Sequence, residues 1–282
     1  MWDGIVLSGF ADEIDPSLEK QIEVIKKLGM NHIEMRGVNG KGLVEYTLDE
    51  VREIKKELDE NGIRLSSIGS PIGKIKITDD FEPHFELFRH TVEIAKIMEV
   101  PYIRMFSFFI PENEDPAIYK DEVFARLSRF VEYAKEHGVI LLHENEKDIY
   151  GDTAARCKEI METFYGDSMK AVFDFANFVQ CGENTLEAYE MMNPYIEYVH
   201  IKDARACDNE VVPGGQGDGH LEEILGMLKA KGYKGFLSLE PHLADFAGFQ
   251  DLETNGVQMK KMPGDQSFTM AHDALVEILN RL

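Results

Sequence analysis

The chain reads as a single α/β domain of the (β/α)8 barrel type, on three observations. Short β-branched or apolar runs alternate with longer amphipathic segments along all 282 residues. The alternation repeats eight times, at roughly 35 residues per unit, which is the length of a parallel βα crossover. The first strand-like run opens no GxGxxG turn, so a closed barrel fits better than a doubly wound dinucleotide sheet.

The strand runs are expected at 4–8, 32–36, 64–68, 102–106, 140–144, 171–174, 198–201 and 236–240. Between them, apolar residues recur with helical spacing over 16–28, 48–61, 81–99, 119–137, 153–164, 186–191 and 221–231, and a last helix covers 267–280. The first helix is expected to start on Asp15 as N-cap, with Pro16 in its first turn. Gly29, Gly62, Gly138 and Gly232 each stand just beyond a periodic segment, where a left-handed residue ends a helix, and a strand run follows each of them. No linker or break in composition divides the chain, so one domain spanning 1–282 is expected.

Composition narrows the function. A net charge of −22, from 52 acidic and 30 basic residues, disfavours nucleic acid as the main ligand, since phosphate binding needs Lys and Arg. Its bland meaning is a soluble, self-repelling surface. Cys157, Cys181 and Cys207 are odd in number and far apart, which supports neither a disulfide framework nor a thiolate zinc site. The opening MWDGIVLSGFADEIDP has no basic-then-apolar leader pattern, and no membrane-length apolar run occurs, so a cytoplasmic protein is expected.

In such a barrel the active site lies at the C-terminal ends of the strands. Reading the last four ends in order, LLHENE, VFDFAN, YVHIKD and LSLEPH supply Glu144, Asp174, His200 and Glu240, separated by 30, 26 and 40 residues. Each stands at the same level of a neighbouring strand, so the four converge. Side chains alternate along a strand, so an inward Glu144 sends His143 toward the helices. The same rule aligns Tyr198, His200 and Lys202 on one inward row, and Ser238, Glu240 and His242 on another. Three carboxylates and an imidazole without a thiolate suit one hard or borderline divalent ion: Mn2+ first, then Co2+, Mg2+ or Zn2+. Any one of these residues alone would read as a cap or a half-buried polar contact; the set of four carries the metal reading.

HENE, DFAN, VHIKD and SLEPH, with SGFADEI, HIEMR, SIGSPIGK and PGGQGDG in order along the chain, resemble the xylose-isomerase-like TIM-barrel superfamily. Its members are labelled sugar phosphate isomerase/epimerase or AP endonuclease family 2-like. The resemblance implies a divalent-metal-dependent isomerase or epimerase acting on a small carbohydrate, free or phosphorylated. It also implies that Glu144 and Glu240 flank the substrate and move the proton beside a carbonyl polarised by the metal, through a cis-enediolate. A lyase of the same superfamily, dehydrating inososes or cleaving C-glycosides, begins with the same step and is the alternative; a non-catalytic sugar-binding barrel is a more distant one. Asn177 stands where ketose epimerases place a substrate-binding His, a departure from that pattern. The DNA-repair relatives need further histidines that Asn177 and DARACDNE do not supply. Glu34, Glu146, Asn177, Lys202, Arg205 and His242 are the expected substrate contacts, with Arg36 as a structural partner for Glu34. PGGQGDG, lacking the GK[ST] ending of a phosphate loop, is expected to be a flexible loop over the metal. The segment 246–265 is expected to close on substrate or to make a subunit contact in a homo-oligomer.

Overall fold

Alternation of inward and outward side chains is the rule that builds this molecule. The computed structural model describes residues 2–244 and 262–282. Eight parallel strands, β1 (Val6–Gly9), β2 (His32–Met35), β3 (Arg64–Ile72), β4 (Tyr102–Met105), β5 (Ile140–Glu144), β6 (Met169–Asp174), β7 (Ile196–Ile201) and β8 (Phe236–Leu239), make one sheet. They are hydrogen-bonded in the order β1-β8-β7-β6-β5-β4-β3-β2. A parallel bridge between Phe10 and Glu34, just past β1, brings the two edge strands together and closes the barrel.

Helices α1 (Leu18–Lys27), α2 (Leu48–Glu60), α3 (Phe81–Met98), α4 (Lys120–His137), α5 (Ala154–Phe164), α6 (Phe175–Gln180), α7 (Thr185–Met192), α8 (Leu221–Ala230) and α9 (Gly264–Arg281) follow their strands around the outside. Their apolar stripes meet the outward strand residues in one continuous core. The four glycines expected to end helices all have positive φ. No described helix is long and apolar enough to cross a membrane. Residues 246–261, most of the segment expected to close on substrate or join subunits, lie outside the described residues.

Three local expectations change. Helix α1 begins at Leu18 rather than at Pro16. Asp15 closes a tight turn by accepting from Ser17 N at 2.8 Å, while Leu18 N donates to Asn39 of a neighbouring hairpin at 3.0 Å. That hairpin, Gly37–Val38 against Lys41–Gly42, turns on Asn39 and Gly40, both at positive φ, and stands on the C-terminal end of β2. Helix α6 was not visible as a period because its six residues are all apolar or amide and span under two turns.

Inside the barrel the alternation stacks two layers. The lower holds Tyr102, Leu142, Val172, Tyr198 and Phe236. Tyr198 donates or accepts at Ser66 Oγ, 2.8 Å away, and Ser66 meets Ser8 at 2.6 Å, which satisfies the hydroxyls buried there. Two residues further along the same strands stand Arg104, Glu144, Asp174, His200 and Ser238, all at most 3% exposed. Burying that many charges costs stability rather than supplying it, so this upper layer is where function is to be sought.

Candidate metal centre and its surroundings

Glu144, Asp174, His200 and Glu240 converge as the strand ends predict, with one ligand-type atom from each lying within 4.8 Å of the others. Asp174 and His200 are direct neighbours in the β6–β7 register. His200 Nδ1 faces the acids, 2.9 Å from Glu144 Oε1, 3.6 Å from Glu240 Oε2 and 3.9 Å from Asp174 Oδ2. Its other nitrogen, Nε2, lies 3.1 Å from Glu34 Oε2. Asp174 caps α6 with one oxygen, which accepts from Asn177 N at 2.8 Å. Its second oxygen, Oδ2, is buried and accepts no hydrogen bond among the described residues, although Lys202 Nζ is 3.3 Å away.

The electrostatics are those of a crowded acidic site. Burial pushes Asp174 up to about 7, with Glu240 and Glu144 adding to it and Lys202 opposing. Burial also resists charge on Glu240, but Lys202 and His242 outweigh it and hold its pKa well below the usual carboxylate range. Desolvation likewise opposes the cationic form of His200, yet Glu144 and Glu34 on its two sides raise its pKa well above normal. An orphaned buried carboxylate oxygen, three convergent acids and an imidazole anchored at its far nitrogen fit a divalent cation. A second trio of ligand type, Glu13, Glu240 and His242, is different. Arg36 reaches Glu13 at 3.3 Å and Glu240 at 3.5 Å, so a guanidinium already serves those acids.

The other expected residues are distributed unevenly. Lys202 is buried and bridges Asp174 and Glu240, 3.2 Å from the latter. His242 Nε2 lies 3.3 Å from Glu240 Oε1 and 3.5 Å from Glu13 Oε1, while its backbone N donates to Glu13 Oε2. Asn177 Nδ2 donates to Asn145 O at 2.9 Å and reaches Glu144 Oε1 at 3.4 Å, so it props Glu144. Glu146 pairs with Lys74 at 3.1 Å. Glu34 sits behind His200, where Ser238 Oγ also donates to it at 2.7 Å, and its expected partner Arg36 instead pairs with Asp12, Glu13 and Glu240. Arg205, expected as a hydroxyl contact, is not brought to the cluster: its side chain is 40% exposed and pairs with Asp208 and Glu210. It lies beyond the end of β7, where strand alternation no longer aims a side chain inward.

Sequence reasoning missed two buried residues of the site. Arg104 donates to Glu144 Oε2 at 3.2 Å and lies 3.9 Å from Glu240 Oε1. A parity count on β4, from Tyr102 to Arg104, would have pointed it inward. Glu13, in a 3-10 turn after β1, carries no such signal; burial pushes it up to about 7 against His242 and Arg36.

PGGQGDG is pinned rather than loose. Asp203 accepts from the backbone N–H groups of Gly215, Gly217 and Gly219, each at 2.9 Å. A Cβ on Gly217 would meet Ala204 O at 2.4 Å, so the loop packs too closely for any other residue there.

Comparison with known proteins agrees with this architecture. Residues 22–257 match the family described as Xylose isomerase-like TIM barrel. The chain is 23% identical to an inosose isomerase of Halalkalibacterium halodurans over 280 residues, 94% of this chain and 92% of that one. Among solved structures it superposes on the IOLI protein with a binding zinc atom at a TM-score of 0.75, with 19% identity and 98% of both chains covered. It also superposes on a probable 3-DHS dehydratase of Bacillus anthracis at a TM-score of 0.73, with 16% identity, covering 98% of this chain and 100% of that one. The chain belongs to the xylose isomerase-like TIM barrel family.

Proposed function

We propose that this protein is a metal-dependent isomerase or epimerase that moves a proton on the carbon next to a carbonyl of a small carbohydrate. The observation that carries the reading is the convergence of Glu144, Asp174, His200 and Glu240 in a buried upper layer of the barrel. Their donor set favours Mn2+, with Co2+, Mg2+ and Zn2+ as substitutes. A divalent ion held by these four residues would polarise a substrate carbonyl and so acidify the neighbouring C–H.

The chain's own residues supply the rest. Glu240 is kept ionised by Lys202 and His242 and serves as a base. Glu144, steadied by Arg104 and Asn177, is the second carboxylate, placed to return a proton. Return to the opposite face of the same carbon inverts it; return to the adjacent carbon isomerises the sugar. Lys202, buried between Asp174 and Glu240, supplies an ammonium that can donate to a departing or newly formed hydroxyl. That ammonium, with the likeness to a dehydratase, supports a second reading in which water is eliminated after the same deprotonation.

The test is solvent-deuterium incorporation by metal-reconstituted protein across free ketoses, sugar phosphates, inososes and 3-keto-glycosides. Label on the carbon beside the carbonyl is expected. Loss of water with no exchange into recovered substrate would favour the elimination reading, and no exchange or turnover anywhere in the panel would remove both.

A further inference from the structure

The mouth of the barrel is electrically divided. Strands β5–β8 carry the carboxylates of the metal centre, while the ends of β1–β4 enclose a cavity of about 420 Å3 whose charged lining is Arg36, Lys41, Lys74 and Arg104 against Asp12 and Glu45. Both acids are engaged: Asp12 accepts from Arg36 Nε at 2.8 Å and Nη2 at 3.2 Å, and Glu45 from Gly42 N at 3.2 Å. The cations are also paired, each with at least one acid outside the lining: Lys74 with Glu146 at 3.1 Å, Lys41 with Glu50 at 3.8 Å, and Arg36 with Glu13 and Glu240. Arg104 joins the two halves, since it lines the cavity and also touches Glu144 and Glu240.

The cations are held in place. Arg104 lies near two aromatic rings, its guanidinium carbon 4.8 Å from the Phe10 centroid and 5.0 Å from that of Phe106, and Gly69 O accepts from its Nη2. Its Nε is buried and has no hydrogen-bond partner among the described residues. Lys74 follows Gly73, whose φ of +89° and approach to Phe106 O exclude a side chain, and its ammonium stands 4.3 Å over the Phe106 ring.

Lysine and arginine side chains donate hydrogen bonds and accept none. A neutral polyol in such a cavity would leave its hydroxyl protons short of acceptors, whereas an oxyanion only accepts. The other anion cradle of the fold, the glycine loop after β7, has its N–H groups spent on Asp203.

We propose that the substrate carries an oxyanionic substituent, a carboxylate or a phosphate, and that the cavity at the ends of β1–β4 binds it while the reacting carbon lies over the carboxylates of β5–β8. This rests on the proposed function for the position of the reacting carbon; the anion preference itself does not. The test is calorimetric titration of the full-length protein, with and without Mn2+, by D-fructose, D-fructuronate and D-fructose 6-phosphate. These probes differ in whether carbon 6 is a neutral alcohol, a carboxylate or a phosphate. At least one of the acids is expected to bind about tenfold tighter than the neutral sugar, and the tighter of the two identifies the anion. Lys74→Met and Lys41→Met, with side chains 15% and 35% exposed, are each expected to reduce that preference. Equal or tighter binding of the neutral sugar, no binding of either acid, or a preference unchanged in both variants would overturn the proposal. Failure of the protein to take up Mn2+ would instead count against the proposed function, because the titrations without metal still read the anion preference.

Discussion

Glu34 Oε2 stands 3.1 Å from His200 Nε2, joining β2 to β7 across the barrel. Burial opposes ionisation of Glu34, but His200, Arg104 and Ser238 outweigh it and lower its pKa. A carboxylate behind the far nitrogen of a metal-facing imidazole sets its tautomer and its angle. Glu34→Gln is therefore expected to weaken divalent-metal affinity by about 10- to 100-fold while leaving the circular dichroism spectrum intact. Unchanged affinity by metal titration would show that His200 needs no such support.

Acidity should set the stability of the metal-free protein. Asp174 and Glu13 are raised by burial to about 7, and His242, against burial, to about 9 by Glu13. The unfolded chain releases these protons near about 4 for the acids and about 6.5 for the imidazole. These three groups bind more protons in the folded state, whereas His84 and His143, held by burial at about 4 and about 3, bind fewer below about pH 6.5. The two effects oppose each other at acid pH, and stability falls as the pH rises from about 7 to 9. Thermal melts after chelation should show the midpoint dropping over that range, and saturating Mn2+ should flatten the part that Asp174 contributes. A midpoint climbing steadily from about pH 7 to 9 without metal would contradict this account.

Replacing Glu240 by Gln keeps the shape and removes the base. Turnover of any substrate found in the deuterium panel is expected to fall by about 10²–10⁴-fold, with the melting temperature changed far less than for a core truncation. A fully active variant would take Glu240 out of the mechanism.

Asp203→Ala strips one acceptor from three glycine N–H groups at once. Leaving buried donors unpaired costs roughly 1–3 kcal/mol each, reduced where water enters. A loss of about 2–4 kcal/mol in urea unfolding and faster amide exchange at Gly215, Gly217 and Gly219 are expected. Unaltered exchange there would mean that the loop is held by packing alone.

Much of the fold was readable because one rule, alternation along strands, recurs eight times and is punctuated by glycines whose φ is positive. The convergence of Glu144, Asp174, His200 and Glu240 was readable for the same reason: they stand at equivalent levels on neighbouring strands. What escaped depends on contacts remote in sequence. Glu34 meets His200 across 166 positions, and Glu13 meets the backbone of His242 across 229. No local pattern announces such pairs. Arg205 stands apart from the cluster because it lies past the strand end, and Arg104 was overlooked because one arginine in YIRM resembles an outward-facing charge.

The carboxylate of Asp203 occupies the concavity that its glycine amides form, so the protein arrives with that receptor already filled by itself. A self-liganded nest cannot rank incoming molecules by their charge. On the proposed anion site, discrimination among substrates would fall to the opposite rim, to long side chains that mutation can exchange one at a time, and new specificities on this scaffold would have their shortest route there.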